Sequence, residues 1–296
     1  MAQGLSEVKT RVLILGATGM IGHQVYNHLK MTGSFDLHSF SFRERLVPDT
    51  VIIDARDEHH LIAKIAKIAP DYIVNCIGIL ISGSANNPEN AIFLNAYLPH
   101  RLKNFADQNN CRLIHISTDC VFSGQKKGPY NESDPKDGVD VYAKSKGMGE
   151  VVSSNHLTLR TSVIGPELKS NGEELFHWFM NQTGTIKGFT KSIWSGVTTI
   201  ELARAVESAI TRQITGLHHV TNNSPITKYD LLRLIKKHTH RDIKIEKVDG
   251  RETDKSFRDN RGELGLVVPS YEKMITEMVS FVEDHRELYS HYFDKC

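Results

Sequence analysis

The apolar run Arg11-Val-Leu-Ile-Leu-Gly16 leads directly into Gly16-Ala-Thr-Gly19-Met-Ile-Gly22, and this junction constrains the fold more than any other part of the chain. An unbroken run of this kind suits a strand buried on both faces, as in a parallel sheet. The glycines follow a G-x-x-G-x-x-G spacing, one residue wider between the first two than the usual dinucleotide fingerprint. The first glycine permits the turn, the second lets backbone approach a pyrophosphate, and the third lets the next helix pack closely on the strand. A diphosphate then lies on a helix N-terminus, where free N–H groups and the dipole favour anions. Gly16, Thr18, Gly19, Met20, Ile21 and Gly22 are therefore expected to cradle a dinucleotide.

The rest of the amino-terminal half keeps the same rhythm. Strands are expected at Leu37–Phe42, Val51–Asp54, Tyr72–Cys76 and Arg112–Ser117, and helices at Gly19–Met31, Glu58–Ile68, Glu89–Asp107 and Tyr142–Val152. Such βαβ alternation implies right-handed crossovers and an α/β, Rossmann-like doubly wound parallel sheet. A strand at Leu157–Arg160 completes it. Beyond lies a smaller mixed C-terminal lobe, with helices at Glu173–Asn181, Thr199–Thr211, Lys228–Thr239 and Tyr271–Tyr289 and short strands at Leu217–Val220 and Ile243–Lys247. The expected division is 1–165 for the dinucleotide and 166–296 for substrate, with a soft boundary that some chain crosses back over.

Composition narrows the function classes. The chain has 296 residues, with 36 Lys+Arg against 35 Asp+Glu, for a formal charge of +1. That balance argues against nucleic acid and acidic membranes as partners. It does not exclude a small anion: residues 225–261 hold 11 Lys+Arg against 7 Asp+Glu, offset by 3 against 7 over 262–296. No apolar stretch reaches the ~18 residues of a transmembrane span. Met1–Thr10 is polar and lacks the core of a signal peptide, so a cytoplasmic protein is expected. Cys76, Cys111, Cys120 and Cys296 show no C-x-x-C spacing and read as reduced thiols. The pairs His59-His60 and His218-His219 lack a zinc-like ligand spacing, and no metal is expected.

The second strand should end in a carboxylate if NAD(H) is preferred, because an acid there bonds the ribose 2′-hydroxyl. This strand ends instead near Ser41 and Arg43. A cation at that place suits a 2′-phosphate, so NADP(H) is favoured and NAD(H) is the alternative. Asp54, with Ala55 beside it, is the candidate acceptor for the adenine amino group. Cys76-Ile77-Gly78 closes the fourth strand, where backbone must pass near the cofactor.

Tyr142-Ala-Lys-Ser-Lys146 places a phenol and an ammonium at i and i+4, on one face of a helix. A phenol of ordinary pKa near 10 is a poor acid–base group at neutrality. A neighbouring cation lowers it. Ser117-Thr118-Asp119-Cys-Val-Phe122 follows the fifth strand, at the same carboxyl edge as the glycine turn.

Together, the glycine turn, the Ser-Thr-Asp-x-Val-Phe run and the Y-x-x-x-K helix resemble the extended short-chain dehydrogenase/reductases, in the branch of the dTDP-4-dehydrorhamnose reductases. Leu94-Asn95 with Pro99, and Arg160-Thr161-Ser162, fit the same pattern. The resemblance implies that Asn95, Ser117, Tyr142, Lys146 and Thr161 also serve the cofactor. It further implies that Thr118, Tyr142 and Lys146 reduce a 4-keto group on a nucleotide-activated 6-deoxy sugar, in a monomer or homodimer. Asp119, Val163, Trp194 and Arg258 are the candidate substrate contacts. Three positions depart from the branch: Val163 stands where it has tryptophan, Cys120 where it has an aromatic residue, and Met20 where it has glutamine. No counterpart is found for the acidic residue used with its metal-linked dimer. The sugar and its nucleotide, dTDP or UDP, stay open. Two other readings are carried. One is a non-catalytic regulatory subunit binding a partner enzyme, which the intact Thr118/Tyr142/Lys146 set disfavours. The other is an epimerase or dehydratase with tightly held NAD. Dehydratases place an acidic pair after the threonine, whereas only Asp119 is acidic here.

Overall fold

The computed structural model describes residues 9–126 and 128–293. Most of the polar amino-terminal segment and Cys296 therefore lie outside the described residues. Strands β1 (Thr10–Leu15), β2 (Phe35–Ser41), β3 (Val51–Ile52), β4 (Tyr72–Asn75), β5 (Arg112–Thr118) and β6 (Leu157–Thr161) join the strand Gly216–Val220 in one sheet. Every pairing is parallel, and the spatial order is Gly216–Val220, β6, β5, β4, β1, β2, β3. The expected doubly wound parallel sheet is found. Strand order reverses between β1 and β4, the place where such sheets bind ligands at their carboxyl ends.

Burial on both faces explains the apolar runs. Side chains alternate along β1: Val12 and Ile14 enter one core with Val25 and Leu29, while Leu13 and Leu15 enter the other with Ile65, Leu102 and Phe105. The first core also takes Leu202, Val206 and Met278. The helix Thr199–Thr211 lies against α1 (Met20–Thr32), and Gly216–Val220 extends the sheet beside β6. Chain beyond residue 165 thus crosses back into the dinucleotide-type half.

Several elements differ from their expected extents. After α2 (Glu58–Ile68) and the short α3 (Ile81–Asn86), the helix expected over Glu89–Asp107 is instead α4 (Pro88–Ala91), a π-helical turn at Ile92–Tyr97, and α5 (Leu98–Gln108). Pro99 has no N–H for the carbonyl of Asn95, and a wider turn accommodates that loss. The helix α6 runs Val141–Met148, capped by the Asp140 side chain, and stops short of Val152. At Gly149 a Cβ would lie 1.9 Å from the Asn95 carbonyl oxygen, so the chain must leave the helix where it meets the π turn. The last long helix ends at Asp284, followed by a 3-10 turn at Ser290–Tyr292. The lobe also contains short strands without a clear sequence signal, including Gly184–Phe189, parallel to Ile243–Val248. Among the described residues no helix is long and apolar enough to cross a membrane.

Candidate active site

The glycine turn makes one wall of a cleft of about 380 Å³ at the β1/β4 switch point. Gly16 has φ +77°, and a Cβ on it would stand 3.2 Å from the Cys76 carbonyl and the Ile77 nitrogen. Two backbones therefore pass as closely as a missing side chain allows. On Gly22 a Cβ would lie 2.2 Å from the Gly16 oxygen, which seats α1 directly against the turn. Helix α1 has Gly19 at its N-cap, no side-chain cap and no acid in its first turn, so its N-terminal amides are open to an anion. The Gly19 carbonyl is held by His23, through its backbone N–H at 3.1 Å and Nδ1 at 2.8 Å. His23 in turn meets Tyr289 at 2.8 Å, so the C-terminal segment braces the turn. These features fit a dinucleotide diphosphate.

At the far end of the same cleft, Phe42 is half exposed between two guanidinium groups, Arg43 at 4.8 Å and Arg56 at 5.8 Å from its ring centre. Asp54 is engaged by Arg56, with contacts of 3.0 Å from Nε to both oxygens, and that pair holds its carboxyl below the usual range. Thr18, Gly19, Ser41, Ala55, Cys76, Ile77 and Gly78 also line this cleft. The Ser41 hydroxyl itself donates to the Glu44 carbonyl.

A second cavity, of about 480 Å³, is lined by Met20, Ile21, Ser117, Thr118, Asp119, Tyr142, Thr161 and Val163. Thr118 ends β5 and accepts from Cys120 N–H at 3.1 Å while donating to Asp119 at 3.2 Å. Tyr142, on α6, faces the same cavity as Thr118. Burial raises its phenol above the ordinary value, with Cys120, Glu174 and Asp119 adding and Thr118 opposing. Lys146 is buried; its Nζ donates to the Ile116 carbonyl at 2.7 Å and would stand 3.9 Å from a Cβ on Gly78. Burial brings its ammonium down to about 8, against the pull of Glu150 and Cys76. The expected lowering of Tyr142 by Lys146 is therefore corrected: here the phenol is raised, and the ammonium is directed to β5 backbone.

The floor of this cavity rests on a buried ion pair. Arg160 in β6 grips Glu150 through Nε at 2.8 Å and Nη2 at 2.7 Å, and both side chains are almost fully buried. Ser117 adds its hydroxyl to the same carboxylate at 2.7 Å. An arginine only donates, so His219 Nε2 must accept the 2.9 Å bond from Nη1, leaving its Nδ1–H to donate to the Arg258 carbonyl at 2.8 Å. Burial and the Arg160 charge bring His219 down to about 3, consistent with that neutral tautomer.

Other expected residues fall elsewhere. Arg258 is exposed and lines neither cavity nor cleft; its backbone, rather than its side chain, is used. Asn95 is fully buried behind the cleft, where its amide pins the Ile79 backbone at 2.8 and 3.0 Å and reaches Ser145 at 3.2 Å. Its role is to hold the loop after β4. Trp194 is a buried wall of an adjoining cavity of about 520 Å³, with its indole N–H donated to Ser162 at 2.7 Å. In helix Leu175–Met180, Phe176 and Phe179 are core, but Trp178 is partly exposed at that cavity's rim. Asn222-Asn223 forms a turn, with Asn223 at φ 59°. Three groups were missed: Arg56, Glu174 and Lys228. For Arg56 the signal was available, as a second arginine just after the third strand. Glu174 and Lys228 sit where their chains' patterns say only surface.

A parallel seven-stranded sheet, a glycine turn at its switch point and a Thr/Tyr/Lys set at its carboxyl edge define an extended short-chain dehydrogenase/reductase. Residues 10–260 match the family model described as RmlD substrate binding domain, and the chain belongs to that family. Among its relatives, the dTDP-4-dehydrorhamnose reductase of Salmonella typhimurium is 25% identical over 238 residues, which span 76% of each chain. The methionine adenosyltransferase 2 subunit beta of Bos taurus is 28% identical over 236 residues, 75% of this chain and 70% of that one. In fold, the chain resembles a dTDP-4-dehydrorhamnose reductase of Bacillus anthracis in complex with NADP, at a TM-score of 0.80 and 21% identity, covering 93% of this chain and 100% of that one.

Proposed function

We propose that this protein is an NADPH-dependent reductase of the 4-keto group of a nucleotide-activated 4-keto-6-deoxy sugar. The observation that carries this reading is the Thr118–Tyr142 pair in a cavity beside an uncapped, glycine-walled helix N-terminus. Reduced nicotinamide supplies the hydride when bound. The chain's own groups then handle the charge that develops on the carbonyl oxygen. Tyr142 donates its proton to that oxygen, and Thr118 hydrogen-bonds it, so charge is stabilised by donors already in place. A raised phenol suits this direction, because an acid that donates must first hold its proton. The nearness of Lys146 to Gly78 supports a role for its ammonium in holding the ribose next to the nicotinamide. Arg43 and Arg56 offer two cations to a 2′-phosphate, which supports NADPH over NADH. Residues 1–165 carry most of this machinery; the segment 166–296 adds Glu174, Trp194 and Lys228 on the sugar side.

The test is NADPH consumption with a panel of dTDP- and UDP-linked 4-keto-6-deoxy sugars. Turnover on at least one is expected, with NADH slower. Stoichiometric NAD retained through gel filtration, with no net cofactor oxidation, would favour the epimerase or dehydratase reading. The bovine relative's name gives one reason to run a partner pull-down in parallel. A tight partner together with no turnover would favour a regulatory subunit.

A further inference from the structure

The reduction removes one proton from Tyr142 in each turnover, and solvent must return it. Lys146 is turned towards Ile116 and Gly78, on the cofactor side. On the sugar side Glu174 has no task in the hydride step. Glu174 lines both the catalytic cavity and the adjoining 520 Å³ cavity. Its backbone is fixed: the N–H donates to Glu167 Oε1 at 2.9 Å, and the carbonyl accepts from Trp178 N–H at 2.8 Å.

Charged and titratable groups face Glu174 from each neighbouring element. Glu167 and Glu173 lie on its own loop, and Asp119 and Cys120 on the turn after β5. Tyr142 comes from α6, Lys228 from the start of the helix Lys228–Thr239, and Lys187 and Lys255 from the other walls of the adjoining cavity. Burial, reinforced by Glu167 and only partly opposed by Lys228, pushes the Glu174 carboxyl up to about 7. Glu174 and Tyr142 line the same cavity, and the Glu174 charge adds to the raising of the phenol.

We propose that Glu174 returns the proton from solvent to Tyr142 through the shared cavity, an inference that rests on the reductase reading above. The carboxyl O–H bond breaks and its proton passes to the phenolate oxygen, remaking the phenol. The carboxylate then takes a proton from solvent, so that one solvent proton is consumed per ketone reduced. Transfer from a carboxyl near neutrality to a phenolate of raised basicity is downhill. Glu174 acts through Tyr142 and touches no reacting carbon.

The test is the pH profile of kcat at saturating NADPH and sugar for the wild type, Glu174→Gln and Glu174→Asp. The relay needs a protonated carboxyl, so wild-type kcat should be flat below about pH 7 and fall above it as that proton is lost. Glu174→Gln should lower kcat by about a hundredfold, lose that limb, keep KM, and recover turnover as imidazolium buffer is raised. Glu174→Asp should keep a limb near neutrality, and it serves as the probe if the glutamine variant folds poorly. A Glu174→Gln profile identical to wild type, or a change confined to KM, would overturn the relay. If Tyr142→Phe keeps full turnover, the reductase reading fails first; if it is inactive while Glu174→Gln matches wild type, only the relay fails.

Discussion

Tyr142→Phe is expected to lower kcat by about a thousandfold while changing the NADPH dissociation constant by no more than about twofold. The substitution removes one hydroxyl from a cavity wall and leaves the glycine turn untouched. It deletes both the proton donor and one of the two groups that stabilise the developing alkoxide. A thousandfold loss corresponds to about 4 kcal/mol of transition-state stabilisation. That is a sum of ordinary size for an acid and an oxyanion donor acting on one atom. Thr118→Val keeps the shape but loses only a hydrogen bond, so a smaller loss is expected. Steady-state kinetics and fluorescence titration with NADPH separate the two quantities. Near-normal turnover by the phenylalanine variant would remove Tyr142 from the chemistry.

Arg160→Leu carries the second large effect, and it falls on stability. Arg160 and Glu150 are both buried, and the carboxylate accepts from Arg160 and Ser117. Removing the arginine strands the carboxylate with Lys136 at 3.2 Å, on a side chain two-fifths exposed, as its nearest remaining cation. Breaking one member of a buried pair costs about 3–5 kcal/mol, because the desolvated charge stays behind. Partial compensation by Lys136 places the expectation at the lower end. The arginine also lies 4.9 Å over Phe122, so its loss opens space between β6 and the run after β5. The double variant Arg160→Leu/Glu150→Leu should recover most of the loss, since no uncompensated charge remains. Urea unfolding of the two variants measures this. A single variant within about 1 kcal/mol of wild type would show that the carboxylate finds solvent or a proton.

Much of this arrangement was legible in the chain, for identifiable reasons. A strand buried on both faces must be apolar throughout, and Val12 to Leu15 announce it. Gly16 and Gly22 are required by backbone contacts that no side chain could share, so glycine spacing encodes geometry directly. The Tyr142/Lys146 spacing placed both residues on α6, but not the direction of the ammonium. That direction depends on the Ile116 carbonyl, 30 residues away in sequence. The same limit applies to Asn95, whose amide faces the Ile79 backbone because a π turn rotates it there. Pro99 marked a disturbance without showing its form. Arg258 was a candidate substrate contact, and its charge says nothing about the direction in which a loop side chain leaves. Glu174 was invisible because its environment is assembled from several distant segments, none of them informative by itself.

The most direct measurement is transfer of deuterium from NADPH labelled at C4 to a 4-keto-6-deoxy nucleotide sugar, with the product examined by NMR. The account predicts one deuteron at C4 of the sugar, one NADPH consumed per product, and label transfer slowed about a thousandfold with Tyr142→Phe. It would be contradicted if the wild-type protein binds NADPH yet transfers no label to any keto sugar in the dTDP and UDP series.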